Sequence, residues 1–499
     1  MNNRHRWVAA MAGVVIVIAL TVHLDRVPPP WWDEGFTLSV ARNWVEIGHY
    51  GRLLIGEPVP RGLEMAFPIT GSVALSFWLF GVGIYQARLV AVGFTLAALV
   101  LLYKLSRRFF DHSIAIATLA VVILLSGRVD SNPLIAGRHV LGEIPALLFL
   151  LAGFLCFIFA EKRPWVWMPV VICLWSLALL SKVQVLPFFT TGLILPFSFT
   201  LFRRQWKSAS LFGVALFGSI VLKFFLEYLQ ARVSPVGSVT GLTPLMALVL
   251  LPDLRLMILT DALQYGMPTL FGLCWGIWNL LKSESRLQSH IDLVRCSYLV
   301  LAGSWFGWLV TLSIGWPRYM FPPSFLASVF VAAMLDQWTN HFDLPYTISQ
   351  AGSVLKKFHR RSVAALAAIL LIVLSLGQTV TVLYGAYVIE SNNSIYDTVQ
   401  FLNTATPPDS LIETFESELL FLLNRRYHYP PDQIHVELIR RMSFDQRLKI
   451  DYDPLKANPD YLVVGQQSKY WALYDAYLKT DDFRLIRNYS KYDIYERVR

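Results

Sequence analysis

Residues 28–43 read PPPWWDEGFTLSVARN and place two adjacent carboxylates, Asp33 and Glu34, directly behind two tryptophans. The stretch follows an apolar run, residues 7–24, that is long enough to start a membrane helix. Because tryptophan is enriched at membrane–water interfaces, this acidic pair is predicted to lie at the edge of a membrane. The simple interpretation is a helix cap and a first-turn acid. The alternative is a site for chemistry.

The composition is that of a membrane protein. Of the 499 residues 55% are hydrophobic and only 15% are charged, whereas soluble domains carry about 25% charged residues. The uncharged runs 183–202, 296–316 and 363–389 are each long enough to cross ~30 Å of hydrocarbon as a helix. The chain is therefore predicted to be a polytopic α-helical membrane protein. The first run lacks a small-residue cleavage site after it, which favours a retained span.

Charge and cysteine content exclude two other classes of function. The formal net charge is +9, but the basic residues lie in short loops between apolar runs, so no nucleic-acid partner is expected. The cysteines lie in or at apolar runs, which favours core packing over a disulfide framework or a metal cluster. The four are Cys156, Cys173, Cys274 and Cys296.

The distribution of Lys and Arg predicts the topology, because short cytoplasmic loops are enriched in both residues. With every basic cluster inside, the chain has eleven spans, a cytoplasmic N-terminus and an external C-terminus. The predicted spans lie near residues 7–24, 86–106, 112–128, 143–161, 164–181, 183–202, 208–229, 258–281, 293–315, 318–338 and 362–388.

The uncharged run 65–84 is the ambiguous segment. It contains Pro68 and Gly71, and we predict a half-buried or re-entrant helix within a long first external loop, residues 25–85. Counting it as a span gives twelve spans and places Asp33 and Glu143 on opposite sides of the membrane.

The same loop contains an amphipathic pattern. Phe36, Val40, Trp44 and Ile47 repeat at helical spacing, which predicts a helix lying in the membrane interface. Asp33, at the start of this helix, is predicted to cap its free amides.

Residues 390–499 form a polar, tyrosine-rich tail after a membrane core of residues 1–389. We predict a small extracytoplasmic α/β domain here. Its predicted elements are helices at 395–403 and 469–478, buried strands at 411–414 and 461–464, and a hairpin of strands 483–488 and 493–498.

Further ionisable residues collect at predicted external span ends: Arg138, Glu143, Lys182, and Arg318 followed by Tyr319. Each has a simple interpretation: a headgroup contact, a first-turn acid, a snorkelling lysine or an interfacial anchor. Together with the Asp33 pair they suit a ligand with a hydroxyl to deprotonate and a phosphate to hold. At membrane level that phosphate most simply belongs to a lipid.

The layout of these residues resembles the membrane-embedded GT-C glycosyltransferases that use polyprenyl-phosphate-linked sugars, with protein O-mannosyltransferases and lipid A aminoarabinose transferases most alike. The likeness covers most of residues 1–390, and the tail resembles the extracytoplasmic domains of bacterial relatives. Glu143 stands where relatives often have Asp. Four motifs carry the resemblance: Trp-Asp-Glu at 32–34, Gly-Arg-x-x-x-Gly-Glu at 137–143, Leu-Leu-Ser-Lys-x-Gln at 179–184 and Arg-Tyr-x-x-Pro at 318–322.

The resemblance implies an inverting transfer of a hexose or pentose from a polyprenyl-phosphate donor to an acceptor hydroxyl. The acceptor would be a glycan, lipid or protein on the outer face of the bacterial inner (plasma) membrane, beside membrane lipid. Asp33 would be the catalytic base and Glu34 its assistant, while Glu143 would be the second acid of the cavity. The lipid phosphate would be held by Arg138, Lys182 and Arg318, the last with Tyr319 beside it.

The resemblance leaves metal dependence open, because some such enzymes need a divalent metal and others do not. Asp33, Glu34 and Glu143 could supply oxygen ligands, but no spacing in the sequence demands a metal.

Three other functions stay open at this point. A transporter or flippase of a lipid-linked or anionic solute should show mid-span charges or paired repeats, and only Lys223 and Glu227 suggest the former. In a non-catalytic scaffold, Asp33→Ala would cost only ~1 kcal/mol of stability. An oligosaccharide polymerase or ligase is poorly separated from a monosaccharide transferase.

Overall fold

The computed structural model describes residues 3–59, 67–233, 248–282, 287, 289–354, 359–389, 393–443 and 449–498. Residues 65 and 66 of the predicted re-entrant segment and residues 390–392 of the predicted tail lie outside these ranges.

In its described ranges, the first part of the chain is a helix bundle with a short antiparallel strand pair, β1 (Leu53–Leu54) and β2 (Glu57–Pro58). The helices are α1 (Asn3–Thr21), α2 (Trp32–Ile47), α3 (Phe67–Phe80), α4 (Ile84–Phe109), α5 (His112–Leu124), α6 (Pro133–Ala136), α7 (Glu143–Ala160), α8 (Pro164–Ser181), α9 (Val185–Phe202), α10 (Trp206–Val233), α11 (Pro252–Tyr265), α12 (Met267–Leu281), α13 (His290–Thr311), α14 (Phe321–Trp338), α15 (Leu344–Gly352) and α16 (Arg360–Tyr384).

Among the described residues, eight helical segments are long and apolar enough to cross a membrane, which makes this a multi-pass membrane protein. They are Ile84–Phe109, Glu143–Ala160, Pro164–Ser181, Val185–Phe202, Trp206–Arg232, His290–Thr311, Pro317–Trp338 and Arg360–Val388. Shorter apolar helices cover Met11–Thr21, Phe67–Phe80, His112–Leu124 and Met267–Leu281.

One predicted span is wrong as a single helix. Residues 258–281 belong to two helices, α11 and α12, which meet at Gly266. Pro268, in the first turn of α12, has no amide hydrogen to continue the ladder of α11, and Gly266, between the two helices, has a low helix propensity. The break therefore has a local cause in the sequence.

The twelve-span alternative disagrees with the contacts. Arg318 forms an ion pair with Asp33 and its Nε lies 3.9 Å from Oε1 of Glu143, so both acids lie at one end of the bundle. Helix α3 has 14 residues, which span about 21 Å, and it packs against α2, α4 and α8. The count of eleven spans stays a prediction.

Helix α2 confirms the predicted helix, but its surroundings differ from the prediction. Phe36 packs against Tyr429 of the tail, with ring centroids 5.5 Å apart, and the buried residues of α2 run almost unbroken from Trp32 to Ala41. The helix packs against α3 and a tail helix rather than lying with its apolar stripe in lipid. The predicted cap is also wrong: the helix begins at Trp32, so Asp33 lies in its first turn.

The tail is a five-stranded mixed sheet with helices, as the predicted α/β class requires. The strand order is β4-β3-β5-β7-β6; β3 pairs in parallel with β4 and β5, and β7 pairs antiparallel with β5 and β6. The elements are α17 (Ser394–Ala405), β3 (Leu411–Thr414), α18 (Ser417–Leu420), β4 (Arg426–His428), α19 (Asp432–Ser443), β5 (Tyr461–Val464), α20 (Gln466–Trp471), β6 (Phe483–Tyr489) and β7 (Tyr492–Arg497).

Most tail predictions are confirmed: the helix near 395–403, both buried strands and the closing hairpin are present. The helix predicted at 469–478 is wrong in extent, because α20 ends at Trp471 and Ala472 adopts a left-handed conformation that stops it. Strand β4 and helices α18 and α19 were not predicted.

The tail packs onto α2 through hydrogen bonds between side chains and backbone carbonyls and through a close backbone approach. The indole Nε1 of Trp32 donates to the carbonyl of Phe415 at 2.6 Å, and the Ser417 hydroxyl donates to the Trp32 carbonyl. A Cβ atom at Gly35 would overlap the Ser417 carbonyl, so only glycine permits this approach. The result is that the helix carrying Asp33 is held by the tail.

Candidate active site

Four charged side chains meet at one end of the bundle. Arg318 pairs with Asp33, and the Lys182 ammonium donates to Oε1 of Glu143 at 2.7 Å. Arg318 also lies 3.9 Å from Glu143, which joins the two pairs. All four side chains are at least 88% buried. Buried charges are costly unless paired, and here two acids balance two cations.

The topology explains why these residues meet. Helices α7 and α8 are packed neighbours, so Glu143, the first residue of α7, lies near Lys182, the residue that follows the end of α8. Arg318 belongs to the 3-10 turn Pro317–Met320 that leads into α14, and Asp33 lies in the first turn of α2. Each side chain is thus fixed by a helix end.

Glu143 retains an open oxygen. Within the described part of the chain, its buried Oε2 has no hydrogen-bond partner, although buried polar atoms usually form hydrogen bonds. Glu143 also lines a small cavity of about 20 Å³, room for about one water, together with Trp31, His139, Arg318 and Phe321. A ligand hydroxyl could donate a hydrogen bond to Glu143 at this position.

Glu34 has quite different surroundings from Asp33. Arg88 donates to both of its oxygens, at 3.0 and 2.8 Å, and the amides of Val140 and Trp31 each donate at 3.1 Å. Nδ1 of His139 lies 3.3 Å away. Burial would raise the pKa of this carboxyl, but the Arg88 charge and the hydrogen bonds outweigh it and hold the pKa well below its usual range. Glu34 therefore ties α2 to α4 and to the loop before α7.

Arg138 does not join the four-residue cluster. Its guanidinium donates to the carbonyl of Val22 and lies over the ring of Tyr387, 5.4 Å from the centroid. Tyr319 does lie beside the cluster. It is buried, and its ring stacks on Trp316 with centroids 5.9 Å apart. It thus packs behind the turn that presents Arg318.

Two residues of the site were missed. Arg88 is fully buried near the start of α4, and an arginine in an apolar helix is itself a signal of a buried partner. His435 lies on α19 and stacks on Trp32, with ring centroids 4.7 Å apart. No local pattern could have identified His435, because its partners lie at the other end of the chain.

The carboxylates do not form a metal-binding set. Glu34 forms an ion pair with Arg88. Asp33 pairs with Arg318, and Glu143 pairs with Lys182. In the described ranges no group of three or more His, Cys, Asp or Glu side chains is placed to hold a metal ion. The oxygen ligands suggested from the sequence therefore do not fit a shared divalent cation in this arrangement.

Comparison with known proteins gives matches in sequence and in structure. The family model described as dolichyl-phosphate-mannose-protein mannosyltransferase matches residues 72–226. No curated protein matches the chain in sequence.

Several solved structures have the same fold over nearly the whole chain. ArnT from Cupriavidus metallidurans in the apo state is 17% identical with a TM-score of 0.64, covering 100% of this chain and 99% of its own. ArnT bound to undecaprenyl phosphate is 15% identical with a TM-score of 0.63, covering 99% and 98%. The Archaeoglobus fulgidus oligosaccharyltransferase is 12% identical with a TM-score of 0.56, covering 93% of this chain and 70% of that one.

Proposed function

We propose that this chain, which has the GT-C glycosyltransferase fold, transfers a sugar from a polyprenyl-phosphate donor to an acceptor hydroxyl. The observation that carries the proposal is the buried cluster of Asp33, Glu143, Lys182 and Arg318 at a common end of membrane helices. Similarity to a structure with bound undecaprenyl phosphate supports the choice of donor.

Lys182 and Arg318 are proposed to hold the donor phosphate. In the structure each cation is paired with a carboxylate. A phosphate can compete with the carboxylate for the Arg318 guanidinium, because a phosphate, like a carboxylate, can accept two parallel hydrogen bonds from it. When Arg318 turns to the phosphate, Asp33 loses its partner. Donor binding would then release the base that the reaction needs.

Asp33 is proposed to be that base. Its carboxylate takes the proton of the acceptor hydroxyl as the acceptor oxygen forms a bond to the anomeric carbon. The bond between this carbon and the phosphate oxygen breaks, and the lipid phosphate leaves with its charge held by Lys182 and Arg318. Attack opposite the leaving phosphate inverts the anomeric configuration.

The other residues are given supporting roles. The open Oε2 of Glu143 would accept a hydrogen bond from the donor sugar, while its Oε1 orients Lys182. Glu34 would assist Asp33 by positioning α2 through Arg88. Arg138 would have to leave Val22 to reach a phosphate, so we assign it to holding the loop before α7.

The active end is proposed to face the outside of the bacterial plasma membrane, with the N-terminus in the cytoplasm. The distribution of Lys and Arg in the short loops supports this orientation. The tail contacts the same end of the bundle through Trp32, so it too would be extracytoplasmic.

The transporter alternative gains no support from the mid-span charges. Lys223 and Glu227 are one helical turn apart on α10 and pair with each other at 2.8 Å. An internal pair of this kind stabilises a helix and does not form a path for a solute.

Asp33→Asn tests the proposed base. We expect transfer of label from a polyprenyl-phosphate hexose or pentose to membrane acceptors to fall by about 10²–10⁴-fold, the usual contribution of a general base. Donor binding should be retained. Asp33→Asn removes the charge that pairs with Arg318, but Glu143 stays 3.9 Å from that guanidinium, so the loss of melting temperature in detergent should be too small to unfold the protein at the assay temperature.

Asp25→Asn is the matched control, because this acid lies in the same loop and its side chain is 48% exposed. It should leave transfer unchanged. Transfer by Asp33→Asn at the wild-type rate would remove Asp33 as base and direct the search to Glu143.

A further inference from the structure

His435 is a buried tail residue that packs against two tryptophans of the candidate site. Its ring stacks on Trp32, the neighbour of Asp33, and lies edge-on to Trp316 with centroids 6.2 Å apart. The residue is 6% exposed, and its buried Nδ1 has no hydrogen-bond partner among the residues that the structure describes. A buried ring nitrogen without a partner requires an explanation, and a bound substrate group is one.

The position of His435 is fixed by contacts between the tail and the core. Asp432, one turn earlier on α19, accepts hydrogen bonds from both terminal nitrogens of Arg52 at 3.0 and 2.6 Å. The Arg52 guanidinium also lies over Phe36 of α2, 4.6 Å from the ring centroid. Because α19 is held against α2 in this way, His435 has a defined place against Trp32, the residue before Asp33 in the chain.

The chemistry of His435 suits a hydroxyl better than a phosphate. Burial lowers the pKa of its imidazole to about 4, with Asp33 and Asp432 opposing this effect and Arg318 adding to it. The ring is therefore neutral near neutral pH and offers one donor and one acceptor. The cations that suit a phosphate, Lys182 and Arg318, come instead from the membrane helices.

We propose that His435 binds the acceptor, through a hydrogen bond from its free ring nitrogen to a second hydroxyl beside the one that Asp33 deprotonates. Paired neighbouring hydroxyls are a property of sugar rings, so the acceptor class is a saccharide, as a free glycan or on a lipid. This inference rests on the proposed function and extends it: the tail supplies part of the acceptor site, and the spans supply the donor site.

His435→Phe tests this assignment, because phenylalanine retains a ring to stack on Trp32 but has no ring nitrogen. The full-length protein is assayed with labelled polyprenyl-phosphate hexose and a saccharide fraction extracted from membranes. We expect the half-saturating amount of acceptor to rise about three- to tenfold, the effect of one hydrogen bond. The half-saturating donor concentration should stay within twofold.

His435→Asn supplies the second measurement. It keeps a nitrogen in the site and should recover part of the acceptor affinity, and it keeps the test decisive if the phenylalanine variant folds poorly. His428→Phe is the control in the same tail. Nδ1 of His428 lies 2.5 Å from Glu413, so its loss should affect stability and not the acceptor requirement.

Each outcome has a distinct meaning. An unchanged acceptor requirement in folded His435→Phe, or a rise in the donor requirement alone, would overturn the acceptor assignment. Protein rather than saccharide labelling by the wild type would overturn the proposed acceptor class. Absence of transfer by the wild type with every labelled polyprenyl-phosphate sugar would overturn the proposed function itself, before any variant is compared.

Discussion

Asp33 and Glu34 are adjacent in the chain, but their carboxylates meet different partners. Successive residues of a helix are rotated by about 100° around its axis, so one side chain reaches Arg318 and the other reaches Arg88. Glu34 has its oxygens occupied by four donors from three other residues and by His139. Among the described residues Asp33 forms one ion pair, with Arg318, and a phosphate could displace it. Glu34 is therefore assigned a structural role, and Asp33 is the acid available for catalysis.

A double-mutant cycle on Glu34 and Arg88 tests the structural role. Glu34→Gln leaves Arg88 charged in a fully buried site, and breaking a buried pair in this way costs about 3–5 kcal/mol. We expect a clear fall in melting temperature. Because the double variant Glu34→Gln with Arg88→Met removes both charges, it should recover much of the loss. Additive losses in the double variant would show that the two residues are not coupled.

The same acid predicts how stability depends on pH. The pKa of Glu34 is held below its usual range in the folded protein, so the folded state favours the ionised form. This contribution is present above the unfolded-state pKa of ~4.3 and is lost as the pH falls towards the folded-state pKa. Between pH 5 and 3 the wild type should therefore lose more melting temperature than Glu34→Gln. Equal slopes in the two proteins would contradict the assignment.

At the scale of elements, the candidate site depends on helix ends and on one close approach. The ends of α7, α8 and α2 and the turn before α14 each present one charged residue. The close approach is that of α2 to the start of α18, where Gly35 lies against the carbonyl of Ser417. A helix that carries the base is thereby positioned by a turn of the tail.

Gly35→Ala tests this approach. The added methyl group would overlap a backbone carbonyl, so α2 and α18 must separate, and we expect at least a tenfold loss of transfer together with a lower melting temperature. Gly93→Ala is the matched control, because Gly93 lies within α4 with no atom near the position of a Cβ. It should be neutral or stabilising by up to about 1 kcal/mol. Equal behaviour of the two variants would show that the approach is not critical.

At the scale of the whole molecule, the tail and the membrane core act as one unit. Arg42 of α2 donates to the carbonyls of Phe421 and Leu423, at 2.8 and 3.0 Å, which adds to the contacts of Trp32 and Arg52. The similarity to ArnT extends over the tail as well as the spans. A donor site in the core and an acceptor site completed by the tail would explain why both parts meet at Asp33.

Asp432→Asn should loosen this connection. It breaks a pair with Arg52 in which both side chains are at least 96% buried, so the amides of α19 should exchange hydrogen faster while those of the membrane helices do not change. We also expect weaker acceptor use with unchanged donor use. Asp481→Asn, at an exposed tail position, is the control. Unchanged exchange in α19 would show that other contacts hold the tail in place.

The sequence by itself determined the membrane class, most span positions, several tail elements and the motifs at the site. Hydropathy, helix length and strand patterning depend on residues that are close together in the chain, so they can be predicted from the sequence. The broken span at Gly266 could also have been read from Pro268. Only the tertiary structure decided that Asp33 and Glu143 share one end of the bundle, that Arg138 contacts Val22 instead, and that Glu34 pairs with Arg88. It alone brought His435 to Trp32, because charge pairing and ring stacking depend on distances between segments that are far apart in the chain.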